Sequence, residues 1–209
     1  TDECGNSSQT TATFTIEDTT PPVISVRPTP LSVECDGAGN LAQLQNWLDT
    51  QAGAEASDIC GGVKWTNNFV SLSDDCGATG SATVTFTATD DCGNATTFNA
   101  TFTIIDTTNP SIDTEAQDET VECDGAGNLA QLQSWLTRNG DAVASDVCGG
   151  VTWSNNFSGL SDDCGATGST TVTFTATDDC GNFSQTTATF TIEDTASPII
   201  STEASDITL

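Results

Sequence analysis

The stretch Val84-Thr85-Phe86-Thr87-Ala88-Thr89-Asp90-Asp91-Cys92-Gly93-Asn94 decides the architecture, because it holds a strand, a turn and the start of a repeat. Val84, Phe86 and Ala88 alternate with threonines, the two-residue rhythm of a strand with one buried face. Residues 90–94 are turn formers, and beyond them Phe98, Ala100, Phe102 and Ile104 alternate with Thr97, Asn99, Thr101 and Thr103. Two such runs around one turn predict an antiparallel hairpin, apolar on one side and threonine on the other.

Residues 87–94 return unchanged at 175–182, and the chain opens on a variant of them, Thr1-Asp2-Glu3-Cys4-Gly5-Asn6. The same 88-residue offset carries Cys35 onto Cys123, Trp47 onto Trp135, Cys60 onto Cys148, Trp65 onto Trp153 and Cys76 onto Cys164 without a gap. A single register of this kind marks a tandem array of small domains. Residues 1–18 read as the C-terminal hairpin fragment of a preceding repeat, 19–106 and 107–194 as two whole repeats, and 195–209 as the N-terminal fragment of a following one. The segment therefore reads as part of a longer array. It carries no apolar run of signal-peptide or membrane-span length, so secretion and anchoring signals are expected elsewhere.

Within the first repeat, Thr19-Thr20-Pro21-Pro22 is a stiff linker, and residues 23–26 and 31–34 are short strands interrupted by Pro28 and Pro30, as suits an edge. The period changes after the turn at 35–40. Leu41, Leu44, Trp47 and Leu48 share a helical face, with Asn40 and Gln43 spaced as a capping box, which predicts one short helix, repeated at 129–136. Residues 54–57 and 63–66 are two further strands, with Trp65 expected as the large core residue. The fold class expected is mainly β, tandem immunoglobulin-like antiparallel sandwiches each carrying one short helix.

The net charge is -27, and Arg27, Lys64 and Arg138 are the only cations. A polyanion such as nucleic acid is a poor partner for such a surface, and multivalent cations are suitable ones. Nine cysteines, no histidine and no Cys-x-x-Cys pair indicate disulfides rather than zinc, and so an oxidising, extracellular setting. Without histidine, Ser-His-Asp and Cys-His catalysis are excluded, and the chain reads as a non-enzyme. Phe69 and Phe157 suit either core packing or a sugar-binding edge. Asn94-Ala95-Thr96, Asn99-Ala100-Thr101 and Asn156-Phe157-Ser158 are glycosylation sequons.

In an immunoglobulin-like sandwich, Cys60 and Cys92 lie at one end and Cys35 and Cys76 at the other. The pairings expected are Cys35–Cys76 and Cys60–Cys92, repeated as Cys123–Cys164 and Cys148–Cys180, with Cys4 unpaired. A rival, Cys92–Cys123, would leave Cys180 alone instead. The acids gather at the same two ends. Asp58, Asp90, Asp91 and Asn94 join Glu17 and Asp18 of the linker, and Asp106 joins Asp146, Asp178, Asp179 and Asn182, two sets of hard oxygen ligands suited to Ca²⁺. A secondary set is Asp36, Asp74 and Asp75 with its copies Asp124, Asp162 and Asp163. Turn chemistry alone also favours Asp and Asn at these places.

The signature 84–94, followed by Phe-Thr-Ile-Ile-Asp-Thr-Thr-x-Pro at 102–110, resembles the hyalin-repeat (HYR-like) immunoglobulin-type modules found in tandem in giant secreted bacterial adhesins and filaments of the Bacteroidetes. The likeness spans the whole chain and departs from the family at the helix. It implies an extracellular structural segment of a filament or adhesin stalk, with divalent ions at module junctions and neighbouring repeats as partners. The competing class is a cell-surface module that binds glycans or proteins. Polymerisation by strand exchange is a third reading, with residues 11–17 as the exchanged strand.

Overall fold

The structure, a computed structural model, describes residues 1–207; the last two residues of the expected fragment 195–209 lie outside the described residues. The first repeat contributes strands β1 (Val23–Val26), β2 (Leu31–Glu34), β3 (Glu55–Ser57), β4 (Val63–Asn67), β5 (Gly80–Asp90) and β6 (Ala95–Ile105), with helix α1 (Leu41–Asp49). The second contributes β7 (Ser111–Thr114), β8 (Glu119–Glu122), β9 (Val143–Ser145), β10 (Val151–Asn155), β11 (Gly168–Asp178) and β12 (Phe183–Glu193), with helix α2 (Leu129–Thr137). The fold is mainly β with one short helix per repeat, and every element recurs in the register of the sequence.

The chain divides into two compact units. One holds Thr1–Ser32, Leu41–Leu72 and Ser81–Thr103; the other runs from Ile104 onward and also takes in the loops Val33–Asn40 and Ser73–Gly80. In the second unit β7 pairs with β9, and a four-stranded sheet runs in the order β10-β11-β12-β8. The hairpin β11–β12 is antiparallel from Gly168↔Ile192 to Thr177↔Phe183. On its outer face, the Thr171 and Thr189 hydroxyls meet at 3.0 Å, as Thr83 and Thr101 do in the first unit.

The sheets, expected to be antiparallel, are so except at one edge. β8 lies parallel to β12, so the sheet is mixed at its edge. The chain passes from β7 in one sheet to β8 in the other, where β8 lies alongside the last strand. The backbone N–H of Cys123 then prolongs the ladder by donating to the Glu193 carbonyl at 2.7 Å. The first repeat has the same order, β2-β6-β5-β4.

The helix explains the core. In the second unit Trp135 is fully buried, 5.2 Å from Phe174 and 5.5 Å from Phe190 between ring centres, and it donates its indole N–H to the Gln117 carbonyl at 3.0 Å. Trp47 does the same with Phe86, Phe102 and the Thr29 carbonyl. The expected core tryptophans, Trp65 and Trp153, are instead half-buried, Trp153 packing against the cluster from its edge strand alongside Phe157 and Leu160. Burying the helix tryptophan is favourable because it removes an indole from water while satisfying its one donor.

The capping box does not form. Asn128 adopts a left-handed backbone (φ 51°) and is fully buried; its side chain turns back to accept the Asp124 N–H at 3.1 Å and to donate to the Glu122 carbonyl at 2.9 Å. Asn40 repeats this with Asp36 and Glu34. The asparagine thus clamps the turn before the helix. Leu41 and Leu129, expected on the buried face, remain largely exposed, because Leu44, Trp47 and Leu48 and their copies already fill that face.

The cations are engaged locally. Arg138 pairs with Glu119 and with Asp141 (2.8 Å), and Arg27 stacks over the Phe98 ring at 4.9 Å. Lys64 lies within β4, opposite Thr89 of β5. Near the start, Asp2 closes a copy of the hairpin turn by accepting the N–H groups of Cys4 and Asn6. Residues 11–17, expected as a strand, have no regular structure, and Phe14 and Ile16 lie exposed.

Candidate functional site

The repeated hairpin turn builds the site. Asp178 accepts the backbone N–H groups of Cys180 (2.8 Å) and Asn182 (2.9 Å) and the Asn182 side-chain amide (2.9 Å), and that amide also donates to the Asp106 carbonyl at 3.2 Å. Asp90, Cys92, Asn94 and Asp18 reproduce the set in the first unit. The turn therefore holds the linker backbone in place. Asp179 accepts the Gly150 N–H at 2.8 Å, and Asp91 the Gly62 N–H at 3.0 Å, which ties the neighbouring loop to the same turn. A side chain at Gly149 would place its Cβ 2.5 Å from the Asp179 carboxylate, so this approach depends on glycine.

The linker and loop acids then converge. Ligand atoms of Asp106, Asp146 and Cys148 lie within 4.8 Å of one another, as do those of Asp18, Asp58 and Cys60, and each group could hold a metal. Of the expected ligands, Asp18 with Asp58 and Asp106 with Asp146 come together. Asp90, Asp91, Asp178 and Asp179 spend carboxylate oxygens on backbone N–H groups, and Asn94 and Asn182 act as donors. Glu17 is exposed, and Ile105 stands at its place in the next repeat.

Charge records this convergence. Burial, followed by the nearby carboxylates of Asp146, Asp178 and Glu34, pushes Asp106 above the ordinary carboxylate range, against a hydrogen bond from Thr108 that lowers it. Burial also raises Asp90, but hydrogen bonds from Asn94, Cys92 and Gly93 outweigh it and leave that carboxyl below its usual value. At the far end, Asp36 and Asp124 are lowered by the N–H groups of Asn40 and Ala38 and of Asn128 and Ala126. Those two acids close turns, and the secondary set of Asp36, Asp74, Asp75, Asp124, Asp162 and Asp163 supplies no converging group among the described residues.

The disulfides depart from expectation. Cys35 is bonded to Cys148 and Cys76 to Cys180, with Cα–Cα separations of 6.0 and 5.1 Å, and all four cysteines belong to the second unit. The pairs Cys35–Cys76 and Cys148–Cys180 are therefore not formed, and Cys60, Cys92, Cys123 and Cys164, expected to pair with one another, carry free thiols, as does Cys4. The rival Cys92–Cys123 bond is absent too. The Cys35 and Cys76 loops do approach each other, the Cys35 sulfur lying 3.8 Å from the Ala78 carbonyl oxygen. What faces each loop, however, is the loop of the next repeat.

Backbone contact explains this choice. The Ala78 N–H donates to the Cys148 carbonyl at 2.6 Å, and the Cys180 sulfur lies 3.3 Å from the Cys76 carbonyl oxygen. A Cβ at Gly37 would sit 2.6 Å from the Val147 carbonyl oxygen, and one at Gly77 would collide with that of Cys148. Gly37 and Gly77 permit this close approach and were not among the residues singled out in the sequence; their signal was a glycine next to, or one residue beyond, a cysteine in each loop. Digesting the unreduced protein should yield Cys35 joined to Cys148 and Cys76 joined to Cys180 by mass spectrometry, and recovery of Cys35–Cys76 would contradict this pairing.

No helix among the described residues is long and apolar enough to cross a membrane. No protein-family model and no curated protein matches the chain. Among solved structures it is similar to Drosophila N-cadherin EC1-4 (TM-score 0.30, 12% identity, 68% of this chain and 44% of that one). It is also similar to an I-band fragment of titin (TM-score 0.29, 10%, 85% and 67%) and to the tandem Ig repeats of Dlar (TM-score 0.24, 15%, 83% and 98%). The chain spans less than half of the cadherin fragment it matches.

Proposed function

We propose that this chain is a structural repeat segment of a long secreted filament or adhesin stalk, acting extracellularly and stiffened by disulfides and by calcium held beside the linkers. The observation that carries this reading is the pair of cross-repeat bonds, Cys35–Cys148 and Cys76–Cys180, which tie loops of one repeat to loops of the next. A tandem domain linked in this way transmits tension through covalent bonds as well as through its linker. Its partners are neighbouring repeats of its own kind, nucleic acid being a poor match for so acidic a chain. No catalytic role is proposed.

The residues present suit a hard cation. Asp106 and Asp146, like Asp18 and Asp58, offer carboxylate oxygens, while Cys148 is committed to a disulfide and offers no thiolate. Water would complete the six to eight oxygens that calcium takes. Bound there, calcium would supply the positive charge that the converging acids lack, lowering the repulsion seen at Asp106. Calorimetry of the whole chain should therefore detect calcium binding, and Asp106→Asn with Asp146→Asn should weaken it by about tenfold or more. No heat on titration, with X-ray scattering unchanged by EDTA, would remove calcium from the proposal.

The pH dependence has a definite sign. Asp106 titrates above the ordinary range in the folded protein, so without a cation its contribution to stability is present at acid pH and lost as pH rises through that raised value. Calcium needs the ionised form. Its affinity should consequently fall as pH drops through the same interval, and an affinity flat across it would argue against Asp106 as a ligand.

An apolar groove along α2, lined by Leu129, Leu132, Leu136, Phe157 and Leu160, favours a second reading, in which the repeats also bind glycans or proteins at a cell surface. Glycan-array binding by the intact chain, abolished by Phe157→Ala, would support it.

A further inference from the structure

Five cysteines carry free thiols, and four of them stand in local frames that duplicate those of the bonded four. Cys123 accepts the Gly125 N–H at 3.4 Å as Cys35 accepts that of Gly37, and the Cys164 backbone N–H donates to the Thr167 hydroxyl as that of Cys76 does to Thr79. Cys60 donates its backbone N–H to Asp58 at 2.8 Å as Cys148 does to Asp146, and Cys92 to Asp90 as Cys180 does to Asp178. The chain therefore shows both halves of a joint that it already makes once within its second unit.

The space around these thiols agrees. Gly37 and Gly77 lie against the backbone of Val147 and Cys148, whereas a Cβ at their counterparts Gly125 and Gly165 would meet nothing within 4 Å. A cavity of about 430 Å³ opens beside Cys164, with Thr167, Thr191 and Thr195 in its lining, and another of about 430 Å³ beside Cys60, lined by Asp18, Val23, Asp58 and Ile59. Ile59 is wholly exposed and corresponds to Val147, whose side chain lies 3.1 Å from the Cβ position of Gly37.

We propose that the Cys123/Cys164 end of this chain docks onto the Cys60/Cys92 end of a second copy, forming two disulfides, Cys123–Cys60 and Cys164–Cys92, at each joint. In this docking Ile59 packs over Gly125, and the Ala166 N–H, counterpart of Ala78, reaches the Cys60 carbonyl. The oxidant is a small-molecule disulfide such as oxidised glutathione. One thiolate attacks it, releasing one thiol and leaving a mixed disulfide; the facing thiolate displaces the second thiol. Each bond thus consumes one oxidised glutathione and returns two reduced molecules, so electrons and protons balance. The proposal does not rest on calcium, and the experiment is run in EDTA.

The test uses the full chain with Cys4→Ser, in a glutathione redox buffer at physiological salt to screen acidic repulsion, followed by non-reducing denaturing electrophoresis and peptide mapping. A ladder of oligomers is expected, with Cys123–Cys60 and Cys164–Cys92 as its cross-links. Cys60→Ser/Cys92→Ser and Cys123→Ser/Cys164→Ser should each stay monomeric alone and give dimers only when mixed. Gly165→Ala meets no neighbouring atom in the free chain and, at φ +64°, strains only its own turn, so it should keep the monomer's circular dichroism and slow ladder formation at least about tenfold, since the equivalent Cβ at Gly77 would strike the Cys148 carbonyl. Monomers throughout, bonds of the type Cys60–Cys92 or Cys123–Cys164 within one chain, or unimpaired ladders from Gly165→Ala would each overturn the proposal.

Discussion

Trp135→Ala is expected to destabilise the second unit by about 3–5 kcal/mol, the scale for deleting a large buried aromatic from a packed core. Trp135 has no exposed surface, packs on both Phe174 and Phe190, and satisfies the Gln117 carbonyl. Its loss leaves a cavity that two flanking strands cannot collapse to fill, and an orphaned carbonyl near it. Trp153→Ala is the control, because that ring is half-buried on an edge strand and should cost about 1–2 kcal/mol. Urea unfolding followed by far-ultraviolet circular dichroism measures both. If Trp153→Ala proved the more damaging, the core would have to be centred on the strand tryptophan after all.

Asn128→Ala should cost about 2–4 kcal/mol, an effect large for so small a deletion. The asparagine is fully buried, answers the Asp124 N–H and the Glu122 carbonyl, and holds a left-handed backbone. Removing the amide leaves two part-buried backbone groups without their partner, at up to about 1–3 kcal/mol each, and alanine tolerates the left-handed region poorly. Asn128→Gly separates the two causes, since glycine accepts the dihedral and restores only the backbone part. Equal stability of the glycine variant and the native chain would show that the side-chain hydrogen bonds contribute nothing.

These two residues also mark what was legible in the sequence. The hairpins, the period and the presence of a helix followed from strict alternation in 84–104 and from the spacing of Leu44, Trp47 and Leu48. Periodicity identifies a face but not its depth, so Trp65 was expected as the large core residue and Trp47 only as part of a helix face. Asn40 had the spacing of a cap, yet spacing carries no information about a positive φ, and the side chain turned the other way. The parallel contact of β8 with β12 leaves no trace at all, since no turn joins the two strands.

At the site, Asp18 with Asp58 and Asp106 with Asp146 were foreseen because linker and loop acids recur together. Asp90 and Asp178 were read as ligands, but turn N–H groups already occupy their oxygens. Cysteine pairing was read within one repeat because four cysteines per repeat balance there. The bonds instead follow backbone proximity, which Gly37 and Gly77 permit and which only the folded chain displays.

The placement of the three cations bears on durability outside a cell. A protease that cuts after lysine or arginine must draw an extended segment into its cleft, and this chain offers only two such bonds, since the third basic residue, Arg27, is followed by Pro28, whose bond resists them. Lys64 lies within a paired strand, Arg27 is stacked on an aromatic ring, and Arg138 is held by two carboxylates at the end of a helix. Digestion by such enzymes therefore waits on local opening of folded structure, and a surface so poor in basic residues wears slowly where they are abundant.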